Sequence, residues 1–217
     1  MSEVLTMKVD HLLFDYNGTL AESKPLAIAI FNELAGIYGF NPMKPEDIDY
    51  LSTLSIMERA KLLKVPIYKF PKLRSEYKLI YKRLLPSLRV APGVDEMLRE
   101  AKLQGYKLII VSSHNAENIH YFLKNNNIDF FDSVHSASDW FGKHQTINSF
   151  ARSSGVNKNQ MLYFGDEIRD VKACQKAGVK MVAVGWGYDA LSRMKEEKVD
   201  FLIGKPSEVM DILKRLS

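Results

Sequence analysis

Five short apolar runs punctuate the chain, each ending in small or polar residues. They are Leu12–Phe14, Leu108–Val111, Met161–Phe164, Met181–Val184 and Phe201–Ile203. Each is apolar at successive rather than alternate positions, the pattern of a strand buried on both faces of a parallel sheet. Helical spacing lies between them. Val94, Met97, Leu98 and Ala101 follow Pro92-Gly93, and Ile168, Val171, Cys174 and Ala177 run up to a stop at Gly178. This alternation predicts an open α/β sheet with right-handed crossovers.

Residues 21–88 break the alternation. Pro25 opens an apolar-periodic helix through Leu26, Ile30, Leu34 and Ile37 that ends at Gly39, and Pro42, Pro45, Pro66, Pro71 and Pro86 punctuate shorter helical segments. No buried strand is predicted there. The chain therefore reads as a core of residues 1–20 and 89–217 with an all-helical insertion, residues 21–88.

The 217 residues suffice for one compact core plus an inserted subdomain, and 46% hydrophobic with 26% charged residues is the balance of a globular protein in water. The lone cysteine, Cys174, rules out an internal disulfide and fits a reducing compartment. No run reaches membrane-spanning length and the first residues lack the shape of a signal peptide, so the expectation is a cytoplasmic protein with no membrane partner. The net charge of +4 resides in the insertion, which holds 11 Lys/Arg against 7 Asp/Glu. Such a patch attracts a phosphorylated substrate, or is simply a solvated helix face. Its aromatic residues, Tyr68, Phe70, Tyr77 and Tyr81, fit helix packing, and no nucleic-acid partner is expected.

Ligands of open α/β sheets collect beyond the carboxyl ends of the strands, and three polar sets fall there. Asp15 follows the first run, Ser112-Ser113-His114 the second, and Gly165-Asp166-Glu167 the third. Asp170 lies one helical turn beyond Asp166, and Lys143 precedes a helical stretch. Carboxylates converging from separate strands repel unless neutralised, and a magnesium ion with oxygen ligands is the natural candidate. A hydroxyl and a lysine beside them could hold phosphoryl oxygens. Asp166 and Asp170 would also serve as a helix cap and dipole partner. Glu167 and Arg169 fit a local ion pair, Trp186 and Tyr188 a shaped loop, and His114 and His144 surface or satisfied positions. A dinucleotide loop, a P-loop and zinc-type Cys/His spacing are absent.

This constellation resembles the haloacid dehalogenase superfamily of phosphohydrolases. Asp15-Tyr16-Asn17-Gly18-Thr19 looks like its first motif, Ser112 its second, Lys143 its third, and Gly165 through Asp170 its fourth. The insertion matches the small helical cap of phosphoglycolate-phosphatase-like members. The resemblance implies a Rossmann-like parallel core and a magnesium-dependent hydrolase acting on a small phosphorylated substrate. Asp15 would attack phosphorus and become an aspartyl-phosphate. Asp15, the Asn17 main-chain carbonyl, Asp166 and Asp170 would hold Mg²⁺. Ser112 and Lys143 would bind the phosphoryl oxygens, with Ser113, Gly18 and Thr19 shaping the phosphate loop.

One position departs from that family. The phosphatases it contains carry an acid two residues after the nucleophile, to protonate the leaving group and then deprotonate water. Here that residue is Asn17. An amide exchanges no proton at neutral pH, so turnover is expected to fall by about 10²–10⁴-fold. Two readings follow: a slow hydrolase, or one whose good leaving group needs little acid help; and, as the alternative, a phosphate-binding or regulatory protein of this fold.

Overall fold

The computed structural model describes residues 9–137 and 142–216. After β1 (His11–Phe14) come four helices, α1 (Lys24–Tyr38), α2 (Ile48–Ser52), α3 (Ile56–Leu62) and α4 (Phe70–Leu84). Helix α5 (Val94–Leu103) and β2 (Lys107–Ser112) resume the alternation. It continues through α6 (Ala116–Asn125), β3 (Ser133–Ser136), α7 (Lys143–Ser154), β4 (Met161–Gly165) and α8 (Ile168–Ala177). It ends with β5 (Lys180–Val184), α9 (Leu191–Glu196), β6 (Phe201–Ile203) and α10 (Val209–Arg215).

Among the described residues the strands form one parallel sheet in the order β3-β2-β1-β4-β5-β6. The chain winds outward from β1 to β3, then returns across β1 to build the other half. The crevice between β1 and β4 is therefore the switch point at which such sheets bind ligands. Phe14 pairs with Ile110 on one side and Phe164 on the other. The three apolar residues of β1 are buried whichever face they point to. Leu12 and Phe14 join the layer of Leu98, Ile110 and Phe122, and Leu13 joins Ile109, Ile147 and Val171. Two covered faces explain the unbroken apolar runs.

The helices between β1 and β2 bury a cluster of their own, built from Ala35, Phe40, Leu51, Ala60, Leu63 and Val65. Their connection to the sheet is a pair of crossing chains. Ala21 bridges Val90, Glu22 N–H donates to the Arg89 carbonyl at 2.9 Å, and Ala91 N–H donates to the Leu20 carbonyl at 2.9 Å. These helices thus join the sheet at the loop that follows β1.

Two local expectations differ from the structure. Strand β3, Ser-Val-His-Ser, carries no apolar run because it is a half-exposed sheet edge. Ile37 is 65% exposed, and the buried stripe of α1 runs instead through Ile30, Leu34 and Ala35. Gly39 does end α1, in the left-handed conformation. No helix among the described residues is long and apolar enough to cross a membrane.

Candidate active site

Asp15 is fixed before its side chain is considered. Its N–H donates to the Phe164 carbonyl at 2.9 Å, which continues the β1–β4 ladder by one residue into the crevice. The loop then folds on itself: Leu20 and Ala21 N–H both donate to the Tyr16 carbonyl, and Gly18 N–H donates to the Ala21 carbonyl. Gly18 adopts a φ of +81° there, a conformation that a side chain would strain.

The Asp15 carboxylate is almost fully buried. Tyr16 N–H donates to Oδ1 at 2.7 Å, while Lys143 Nζ lies 2.6 Å from Oδ2 in a buried ion pair. Lys143, the first residue of α7, is itself buried and donates to Asp170 Oδ1 at 2.5 Å. Burial opposes its charge, but Asp15 and Asp170 outweigh that and keep the ammonium protonated. Burial likewise opposes ionisation of Asp15, but Lys143 and Arg169 hold its carboxyl below the usual range. A carboxylate kept ionised in this way is the state a nucleophile needs.

The other carboxylates come from the turn after β4. Asp170 Oδ2 accepts from Glu167 N–H at 3.2 Å, so Asp170 caps α8 and contacts Lys143 at once. Burial pushes its pKa up to about 6 despite Lys143. Asp166 is fully buried, accepting from Thr19 Oγ1 at 2.8 Å and from Tyr188 N–H at 2.9 Å. Burial and the neighbouring carboxylates push it well above the usual range. The carboxyl of Asp166 is wedged between Gly18 and Gly187, where a Cβ on either would overlap it. Gly187→Ala is therefore expected to destabilise the fold by about 1–3 kcal/mol through overpacking. Denaturant unfolding measures this, and unchanged stability would show that the loop shifts freely.

Asp15, Glu167 and Asp170 offer oxygens that all lie within 4.8 Å of one another. Three acids crowded together, two of them buried, are an oxygen-only donor set that fits a hard divalent cation. Asp166 stands outside that trio, although each of its oxygens keeps a lone pair beyond its one hydrogen bond. Ser112, the last residue of β2, is buried and accepts from His114 N–H at 3.3 Å. Ser113 receives a hydrogen bond from Arg169 at 3.1 Å, and Arg169 also pairs with Glu167 as its sequence position suggested.

Position 17 faces the insertion. Tyr81, buried on α4, donates to Asn17 Oδ1 at 2.8 Å, and Asn17 Nδ2 lies 3.4 Å from His114 Nδ1. Burial pushes His114 down to about 4, leaving a neutral ring at physiological pH. Burial also raises the Tyr81 phenol. His114 is thus a satisfied histidine, but one that lines the site.

The insertion is closed onto the sheet by further polar contacts. Asp189 is buried, accepts from Ile168 N–H at 2.9 Å and forms ion pairs with Arg59 of α3 and with Arg193. Ala190 N–H donates to the Ser52 carbonyl at 3.0 Å, and Ser23 shares a hydrogen bond with Tyr188 at 2.8 Å. Trp186 Nε1 donates to the Thr19 carbonyl at 3.0 Å, so the loop containing Trp186 and Tyr188 braces the loop after β1. A cavity of about 80 Å³ lies against Tyr188, lined by Lys24, Ile28, Leu51 and Arg59 among others.

A family model described as haloacid dehalogenase-like hydrolase matches residues 12–184, which contain each of these polar groups up to Arg169 and Asp170. The chain belongs to that family. It is similar to a phosphoglycolate phosphatase of Synechococcus elongatus, 28% identical over 94% of this chain and 97% of the relative. It is also similar to the pyrophosphatase PpaX of Bacillus mycoides, 27% identical over 97% of this chain and 100% of that protein. Among solved structures, a haloacid dehalogenase-like hydrolase from Streptococcus pneumoniae superposes with a TM-score of 0.79 at 20% identity, covering 94% of this chain and 98% of the other. That likeness shows the fold.

Asp189 is a site residue that the sequence pattern does not single out, whereas Glu167 was expected only as the partner of Arg169 and Tyr81 only as a helix-packing residue. Glu167 follows a motif aspartate and had a signal to find; Asp189 and Tyr81 lie far along the chain and had none.

Proposed function

We propose that this hydrolase is a divalent-cation-dependent phosphatase working through a phosphorylated Asp15, with the insertion, residues 21–88, serving as a cap. The observation that carries this reading is the buried, ionised Asp15 at the switch point, held against the buried Lys143 ammonium. Asp15 attacks phosphorus. Lys143 positions the nucleophile and balances its charge, and Ser112 and Ser113 stand at the end of β2 to receive phosphoryl oxygens. Relatives named as phosphatases support the same chemistry.

Mg²⁺ would suit an oxygen-only donor set of Asp15, Asp166, Asp170 and the Asn17 main-chain carbonyl, and the closeness of Asp15 and Asp170 to Glu167 supports adding Glu167 to it. The ion supplies positive charge where the acids and the phosphoryl group meet. Closure of the insertion excludes water. Phosphate release from a panel of phosphorylated small molecules, with Mg²⁺ and with a chelator, tests the reading. Mg²⁺-dependent release supports it. The alternative, a phosphate-binding or regulatory protein, draws on Asn17 and predicts Mg²⁺-dependent binding of beryllium fluoride with no turnover of any ester or anhydride.

Ion binding should depend on pH in a defined sense. The cation needs Asp170 as carboxylate, and its pKa of about 6 means a proton occupies it on the acid side. Affinity should therefore fall as pH drops through 6, by about tenfold per unit for each proton displaced. The rise in melting temperature on adding Mg²⁺ should be larger at pH 8 than at pH 5. Equal rises would argue that the ion sits elsewhere.

A further inference from the structure

The surroundings of Asn17 say what kind of substrate this site can open. The sheet and the Tyr16 N–H close off one side of Asp15, and Lys143 with Asp170 flanks another. A phosphoryl group reaches Asp15 from the side of the insertion, so its leaving group lies toward Asn17, Tyr81 and His114. In-line attack requires this, because the bond that breaks points away from the nucleophile.

None of these three side chains hands over a proton readily at neutral pH. The Asn17 amide has no acidic proton, and its oxygen is held by the Tyr81 hydroxyl at 2.8 Å. A phenol ordinarily releases its proton only near pH 10. The two ring nitrogens of His114 each face an amide, Asn17 Nδ2 at 3.4 Å and Asn118 Nδ2 at 3.1 Å. The ring is further boxed in by Tyr16 and Tyr81, at 5.4 and 4.6 Å between centroids. No carboxyl group hydrogen-bonds to the Asn17 amide among the described residues. Position 17 is thus built into its neighbours as an amide, accepting from Tyr81 while its nitrogen faces a ring nitrogen.

The geometry points to a substrate whose leaving oxygen departs unprotonated, a phosphoanhydride or acyl phosphate rather than an alkyl phosphate ester. This rests on the phosphatase reading with Asp15 as nucleophile. In the first step an Asp15 oxygen bonds to phosphorus, and the bond from phosphorus to the leaving oxygen breaks with its electron pair. The product is a phosphate or carboxylate anion, stable at neutral pH without a donated proton. In the second step water attacks the same phosphorus and the Asp15 oxygen leaves as carboxylate. One water proton stays on the incoming oxygen and the other passes to a phosphoryl oxygen, giving dihydrogen phosphate. Atoms and charge balance in both steps with no acid or base from the protein.

The test is kcat/KM, which reports the first step, for acetyl phosphate, pyrophosphate, p-nitrophenyl phosphate, phosphoglycolate and glycerol 3-phosphate. It is run on the chain as it stands and on Asn17→Asp. The expected result is that acetyl phosphate or pyrophosphate exceeds both alkyl esters by at least about 10²–10⁴-fold, the usual worth of a general acid. Which of the two leads separates an acyl phosphate from a phosphoanhydride. Asn17→Asp should raise the alkyl esters and leave the anhydrides little changed. Alkyl esters within tenfold of the anhydrides on the unmodified chain would overturn the inference and leave the phosphatase reading intact. No Asp15-dependent release from any substrate would overturn both.

Discussion

Asp15→Asn should reduce phosphate release by about 10⁴-fold or more, as removal of a nucleophile does in enzymes that form a covalent intermediate. The replacement is close in shape, and its amide oxygen can still accept the Tyr16 N–H that now reaches Oδ1 at 2.7 Å. What it removes is the negative charge and the oxygen beside Lys143. Lys143 keeps Asp170 as a partner, so the fold should survive. Circular dichroism and a melting curve verify that, and steady-state phosphate release gives the effect. A folded Asp15→Asn protein that retained more than a tenth of the turnover would exclude Asp15 as nucleophile.

The second large effect concerns the step after phosphoryl transfer. With no base at position 17, water attack on the phosphorylated Asp15 should be slow, and a reactive substrate such as acetyl phosphate should give a burst approaching one phosphoryl group per chain. Asn17→Asp should raise the steady-state rate by about 10²–10⁴-fold and remove the burst. The carboxylate would keep the Tyr81 hydrogen bond, but its other oxygen would face His114 Nδ1 where the amide nitrogen now lies. That oxygen calls for a proton on the ring, so the pKa of His114, now about 4, should rise, as its NMR titration would show. An absent burst with an unchanged rate would show that position 17 does not limit the reaction.

How far the sequence revealed this site follows from how each part is held. Asp15, Ser112 and Asp166 stand at the carboxyl ends of strands whose apolar runs mark them, so their convergence follows from the parallel sheet alone. Lys143 and Asp170 each begin or cap a helix beside those strand ends, and their meeting at 2.5 Å is a consequence of crossover geometry. Edge strand β3 escaped notice because half-exposed positions carry little hydrophobic signal. Tyr81 read as an ordinary packing residue of α4, because a helix pattern reports which face is buried and not what it is buried against. Asp189 is a lone acid in a loop, and only the folded chain brings Arg59 and Ile168 to it. Glu167 was legible as the partner of Arg169, but its closeness to Asp15 depends on the turn after β4.

In the proposed mechanism Asp15 carries the phosphoryl group and Asn17 delays its release. Rapid mixing with acetyl phosphate and Mg²⁺, acid quenching and peptide mapping by mass spectrometry tests it most directly. The expected result is a phosphoryl group on Asp15 that forms within the burst and decays at the steady-state rate, and that decays about 10²-fold faster or more in Asn17→Asp. Turnover with no phosphoryl group on Asp15, or equal decay in the two proteins, would contradict it.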